Sequence, residues 1–238
     1  MLSFAVNEVN NMEENMIYLT GDTHGDQFRF IYSPEEKRWT SDDYCIVLGD
    51  FGFIFLDDQT EHAFLNDLET RPYHLCFIDG NHENFPALHE FPVETWNGGK
   101  VHRIRKNIYH LMRGEIFHLS GHSFFTMGGA YSTDRGERQL NYSFWNEELP
   151  TKAEMGYAWD NLEKHDFAVD YILTHTAPLS VIGSLSCTPT PEEKEYNVFL
   201  DEIRKRCVYK HWYFGHFHKD LKIGDKATAV YRSIISIR

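Results

Sequence analysis

Five short apolar runs in this chain each end in a turn of glycine, aspartate, asparagine or histidine. Ile17-Tyr18-Leu19 leads into Thr20-Gly21-Asp22, Tyr44 to Leu48 into Gly49-Asp50, and His74 to Ile78 into Asp79-Gly80-Asn81-His82. Further on, Asp170 to Leu173 leads into Thr174-His175, and His211 to Phe214 into Gly215-His216-Phe217-His218. Continuous apolar runs of this length, bounded by turn residues, predict strands buried on both faces. Asp22, Asp50 and Asn81 follow one another at intervals of roughly 30 residues, the length of a strand, a crossover helix and the next strand. Gln59 to Arg71, with apolar Ala63, Phe64 and Leu68, suits one such helix. Right-handed parallel crossovers set the carboxyl ends of neighbouring strands side by side, and ligands of open α/β sheets bind beyond those ends.

The pattern then changes. Asn107 to Gly114 and Glu115 to Met127 are short alternating runs with Arg-Gly and Ser-Gly turns, which predicts an antiparallel meander. Residues 128–150 are aromatic, carry Arg135 and Arg138 and lack periodicity; a loop of that length is a candidate lid over a substrate. Thr151 with Glu154, and Thr190 with Glu193 behind a proline, form the spacing of capping boxes and predict two helix starts. Leu221 to Ile223 and Ala227 to Ile235 flank Gly224-Asp225 as a closing hairpin. Residues 1–15 are polar and aperiodic, so the expected organisation is an N-terminal extension followed by one domain over 16–238.

A chain of 238 residues with 42% hydrophobic and 15% aromatic content can bury a full core. Its net charge of −13 disfavours a protein that grips long nucleic acid through phosphates. Two basic stretches, Lys100 to Lys106 and Arg204 to Lys210, are expected to be solvated faces. No apolar run reaches the 18 or so residues of a membrane span, and no secretory leader pattern opens the chain, so a cytoplasmic protein without membrane contact is expected. Cys45, Cys76, Cys187 and Cys207 form no Cys-x-x-Cys pair and are expected to be reduced and structural.

The strand ends together deliver Asp22, His24, Asp50, Asn81, His82, His175, His216 and His218. Oxygen and imidazole donors without thiolate suit manganese, iron, zinc or nickel better than calcium or copper(I). These residues exceed the need of one ion. Two divalent ions about 3.5–4 Å apart would use them, with one carboxylate, most naturally Asp50, shared between both. The remaining histidines, among them His74, His110, His118 and His211 within strand runs, are expected to be ordinary core or surface residues.

In order, spacing and strand context, Gly21-Asp22-Thr23-His24, Gly49-Asp50, Gly80-Asn81-His82-Glu83, His175 and Gly215-His216-Phe217-His218 resemble the motif set of the calcineurin-like metallophosphoesterases, over roughly residues 16–220. The resemblance implies an α/β fold, a four-layer α/β/β/α sandwich of two mixed sheets flanked by helices. It implies that Asp22, His24 and His218 hold one ion, Asn81, His175 and His216 the other, with Asp50 between. A hydroxide bridging the ions would attack a phosphomonoester or phosphodiester, and the unligated His82 would protonate the departing oxygen. Asn81 and Arg135 are candidate substrate contacts, and Glu83 a support. At the positions where protein serine/threonine phosphatases carry Asp and Arg after the second motif, this chain has phenylalanine and isoleucine, Gly49-Asp50-Phe51-Gly52-Phe53-Ile54. A close protein serine/threonine phosphatase is therefore not expected; the Gly215-His216-Phe217-His218 ending resembles the broader bacterial and phage-type phosphoesterases, which implies a small phosphorylated substrate. A nuclease, a cyclic-nucleotide phosphodiesterase and a silent protein-binding scaffold of the same fold are the alternatives.

Overall fold

The structure, a computed structural model, describes residues 15–31, 33–56 and 58–238. The expected extension, 1–15, lies outside them except for Asn15. The chain opens with β1 (Ile17–Thr20), α1 (Phe28–Ile31), β2 (Tyr44–Leu48), α2 (Gln59–Leu68), β3 (His74–Ile78) and α3 (Phe85–His89). Next come β4 (Val93–Trp96), β5 (Gly99–Arg105), β6 (Ile108–Leu111), β7 (Ile116–Leu119) and β8 (His122–Met127). The rest comprises α4 (Lys152–Lys164), β9 (Tyr171–Thr174), α5 (Leu179–Ile182), α6 (Lys194–Arg206), β10 (His211–Phe214), β11 (Leu221–Ile223), β12 (Ala227–Ala229) and β13 (Ile235–Ile237).

The strands form two mixed sheets. A seven-stranded sheet runs β13-β1-β2-β3-β6-β5-β4, with β1, β2, β3 and β6 parallel. A six-stranded sheet runs β11-β12-β10-β9-β8-β7, with β8, β9, β10 and β12 parallel. The period-2 alternation of strands builds the layers. In β2, Ile46 and Leu48 join Phe124 and Leu173 in the core between the sheets, while Cys45 and Val47 pack with Leu65 and Leu68 of α2. A third core joins the outer face of the second sheet, through Ile172, Trp212 and Phe214, to Leu162 of α4 and Leu200 of α6. Three cores between four layers make the α/β/β/α sandwich. Truncating a fully buried residue such as Ile46 to alanine would cost about 2–5 kcal/mol. Among the described residues, no helix is long and apolar enough to cross a membrane. All four cysteines are free thiols, and three of them are buried.

The local starts follow from capping. Asp58 accepts from the Thr60 and Glu61 N–H groups at 2.9 Å each and opens α2, which stops at Leu68, short of Arg71. Thr151 and Glu154 form the reciprocal capping box that opens α4.

Four expectations need correction. The meander is divided: β6 pairs with β3 and β5 in one sheet, whereas β7 and β8 form a hairpin in the other, so Arg113-Gly114 carries the chain between sheets. Strands β4 and β5 were not expected, because β5 alternates buried residues with the lysine and arginines of a basic stretch. Thr190 accepts from the Glu193 N–H at 3.2 Å, but this closes a turn ahead of α6, whose own first residue is Lys194. The closing hairpin is real between β11 and β12, yet it ends at Ala229, and Ile235 begins β13, which crosses to the first sheet and pairs with β1.

Candidate metal centre

The parallel strands β1, β2, β3, β9 and β10 end on a common rim, and the turn after each carries the predicted residues. Five of them, Asp22 (φ 31), His24 (φ 47), Asp50 (φ 48), His216 (φ 64) and His218 (φ 49), have left-handed backbone. Non-glycine residues in this region are uncommon, cost of order 1–3 kcal/mol each and cluster at functional sites. Glycines let the turns approach one another. A Cβ on Gly49 would lie 2.0 Å from His175 Nδ1, and one on Gly80 would lie 2.0 Å from Asp50 Oδ1.

Two donor sets result. Asp22, His24, Asp50 and His218 each offer an atom within 4.8 Å of the others. His24 Nε2 stands 3.0 Å from His218 Nε2 and 3.6 Å from Asp50 Oδ2. On the other side of Asp50, His175 Nε2 lies 3.4 Å from Asp50 Oδ1 and 3.0 Å from Asn81 Oδ1. The His216 ring sits 5.0 Å from that of His175. His175 Nδ1 donates to the Leu48 carbonyl at 2.8 Å, which leaves Nε2 facing the Asn81 and Asp50 oxygens. Asp50 thus presents one oxygen to each set.

Electrostatics fit a cation at this place. Burial lowers the pKa of His24 to about 4, that of His216 to about 3, and that of His218 as well, so near neutral pH these imidazoles offer lone pairs. Burial, helped by Asp50, raises Asp22 to about 7, and its Oδ2 is buried without a hydrogen-bond partner. Burial works against charge on His175, but Asp50 and Asp22 outweigh it and push that imidazole up to about 10. Despite its own burial, Asp50 is held well below the usual carboxylate range by His175. Two buried carboxylates, an orphaned oxygen and facing imidazole nitrogens suit divalent ions of the transition series.

Other residues brace the rim. The Asp50 Oδ1 atom accepts the His82 N–H at 2.8 Å, and Asp22 Oδ1 accepts that of His216 at 2.9 Å. Glu83 is buried, its carboxyl raised to about 8 by burial and Asp50, and it accepts from the Phe51 N–H at 2.8 Å, tying two of the turns together. His82 is half-buried, with its ring 5.3 Å from that of His24.

The arginines of residues 128–150 are engaged within the chain. Arg135, expected to grip a substrate phosphate, gives Nε and Nη2 to Glu148 at 3.1 and 2.9 Å and lies over the Tyr131 ring. Two contributors were not foreseen. Tyr231 stacks on His218, with centroids 4.5 Å apart, and Ser132 accepts from Asn81 Nδ2 at 2.9 Å. Neither carries a local sequence signal: Tyr231 follows the motifs and Ser132 lies in the aperiodic lid.

A model of the calcineurin-like phosphoesterases matches residues 16–220. The chain belongs to this family. The match takes in all five turns and ends just past His218, so Tyr231 and β13 lie beyond it. No curated protein matches the chain. For a calcineurin-like phosphoesterase, the fold, the rim and the clustered Asp22, His24, Asp50 and His218 fit a metal-dependent phosphoesterase.

Proposed function

We propose that this chain hydrolyses small phosphomonoesters or phosphodiesters, using two divalent ions held by Asp22, His24, Asp50 and His218 on one side and by Asp50, Asn81, His175 and His216 on the other. The observation that carries it is Asp50, buried between two sets of carboxylate, amide and imidazole donors with an oxygen toward each. Such ions, when bound, lower the pKa of water and neutralise charge on phosphoryl oxygens. Carboxylate and imidazole donors together are compatible with manganese, iron, zinc and nickel, and manganese is the ion we propose.

The chain's own groups do the rest. Burial and strained turns hold the donors in place before substrate arrives. His82 is hydrogen-bonded through its backbone to Asp50 and has a half-exposed ring, which suits transfer of a proton to the departing oxygen. Asn81 would contact a substrate oxygen only through the Nδ2 hydrogen that Ser132 does not take. Arg135 would have to leave Glu148 before it could do so.

Long nucleic acid is a poorer substrate choice. Lys205 pairs with Glu202 and Lys210 with Asp170, around the start of β10, whereas the ligands follow its other end. Arg103 pairs with Glu94 on the neighbouring strand.

The test is the initial rate on para-nitrophenyl phosphate and bis-para-nitrophenyl phosphate after manganese reconstitution. Hydrolysis of either, lost on chelation, supports the proposal, and the preferred ester separates phosphatase from phosphodiesterase. Bound manganese with neither ester cleaved would favour a protein-binding scaffold.

A further inference from the structure

A carboxamide has two different ends. Only one of its two orientations turns oxygen toward a cation; the other presents N–H donors there. Asn81, a candidate ligand, has its Oδ1 3.0 Å from His175 Nε2, so the question is what holds the amide that way round.

The answer lies in the lid. Asn81 Nδ2 donates to Ser132 Oγ at 2.9 Å, and Arg138 Nη1 donates to the same oxygen at 2.8 Å. Asn81 and Ser132 are 3% and 1% exposed, so water does not substitute for either bond. A hydroxyl has two acceptor lone pairs, and here an amide and a guanidinium take them. With Arg138 on one lone pair and Asn81 Nδ2 on the other, the hydroxyl proton points away from Asn81.

Ser132 is itself fixed. Its backbone N–H donates to Glu148 Oε2 at 3.2 Å. Glu148 is fully buried, and its Oε1 lies 3.7 Å from Arg138 Nη1. Arg138 also donates through Nη2 to the Ser143 carbonyl and lies 3.3 Å from Asp134. The chain of contacts runs from the lid to the metal rim without a gap: Ser143 and Glu148 to Arg138, Arg138 to Ser132, Ser132 to Asn81.

We propose that Ser132 is a positioning residue for the second ion: it orients the Asn81 amide with its oxygen toward that ion, and Arg138 fixes Ser132 in turn. The proposal rests on the metal-centre assignment above. Partners that orient metal ligands in this way are worth about 10–100-fold in metal affinity.

The experiment titrates metal-free protein with manganese by calorimetry and follows the same samples by electron paramagnetic resonance. The wild-type chain should bind two ions and give the spectrum of a coupled pair. Ser132→Ala should keep the first ion, held by Asp22, His24, Asp50 and His218, but bind the second about tenfold more weakly and show an isolated-ion signal at two equivalents. Ser132→Thr, which keeps the hydroxyl, should restore the coupled spectrum. Arg138→Gln should weaken the second ion in the same direction, and it carries the test if Ser132→Ala does not fold by circular dichroism. Two ions bound by Ser132→Ala with wild-type affinity would overturn the proposal alone. A wild-type chain that binds no manganese would overturn the metal centre as well.

Discussion

Asp79 and Asp50 end neighbouring parallel strands, and both are buried, yet their surroundings are opposites. Asp79 meets the fork of Arg113, Nε at 2.8 Å and Nη2 at 2.6 Å, and His110 Nε2 at 3.2 Å. His110 in turn shares a hydrogen bond of 2.9 Å with His102, and Arg113 reaches on to Glu154. The chain supplies the countercharge, and Arg113 holds Asp79 well below the usual carboxylate range against its burial. Among the described residues, no guanidinium pairs with Asp50. Beside it stand His24 and His216, pushed toward neutrality, His175, pushed up by the carboxylates, a second buried carboxylate with an orphaned oxygen, and left-handed backbone. A buried carboxylate held by a guanidinium, which cannot give up its proton, is scaffold; one ringed by imidazoles and a second carboxylate is arranged for a cation from outside.

Breaking each cluster should therefore have different consequences. Asp50→Asn removes the shared ligand, and hydrolysis should fall by at least about 10³-fold with both ions weakened, seen in rates and in metal content after gel filtration. Arg113→Met leaves Asp79 charged in the interior with His110 as its remaining partner, and should cost about 3–5 kcal/mol in denaturant unfolding. If Arg113→Met instead unfolds like the wild type, the scaffold half of the comparison fails. His82→Ala should bind both ions normally but lower kcat by about 10²-fold, most severely for esters with poor leaving groups.

The smallest effect is on pH dependence. Burial, with His110 beside it, lowers His102 to about 4, whereas in the unfolded chain it titrates near 6.5. Between those values the unfolded state binds more protons, so stability present above about pH 6.5 is lost as pH falls toward 4. Melting temperatures measured across that window should decline, and the slope should be shallower in His102→Gln.

The two clusters were not equally legible in the sequence. Each candidate ligand of the rim follows an apolar run, so strand ends and turn chemistry point to Asp22, Asp50, Asn81, His175 and His218 without knowledge of the pairing. The Asp79 cluster has no such signature. His102 and His110 face each other across the β5–β6 hairpin, and β5 was obscured by the lysine and arginines that alternate with its buried positions. The same limit hid Ser132, whose importance lies in a partner 51 residues away. It also hid the crossing at Arg113-Gly114 and the switch of sheet before Ile235, because short alternating strands specify a face to bury but not the sheet they join. The lid arginines looked free because nothing local in the sequence reveals that Glu148 folds inward between them.

The central claim is that the rim around Asp50 holds a pair of ions and the Asp79 cluster holds none. Crystals soaked in manganese, measured at its absorption edge, test this directly through anomalous scattering. Two peaks about 3.5–4 Å apart, on either side of Asp50 and in contact with His24 and His175, are the predicted result. One peak that leaves Asn81, His175 and His216 without an ion, or no peak at the rim at saturating manganese, would contradict it.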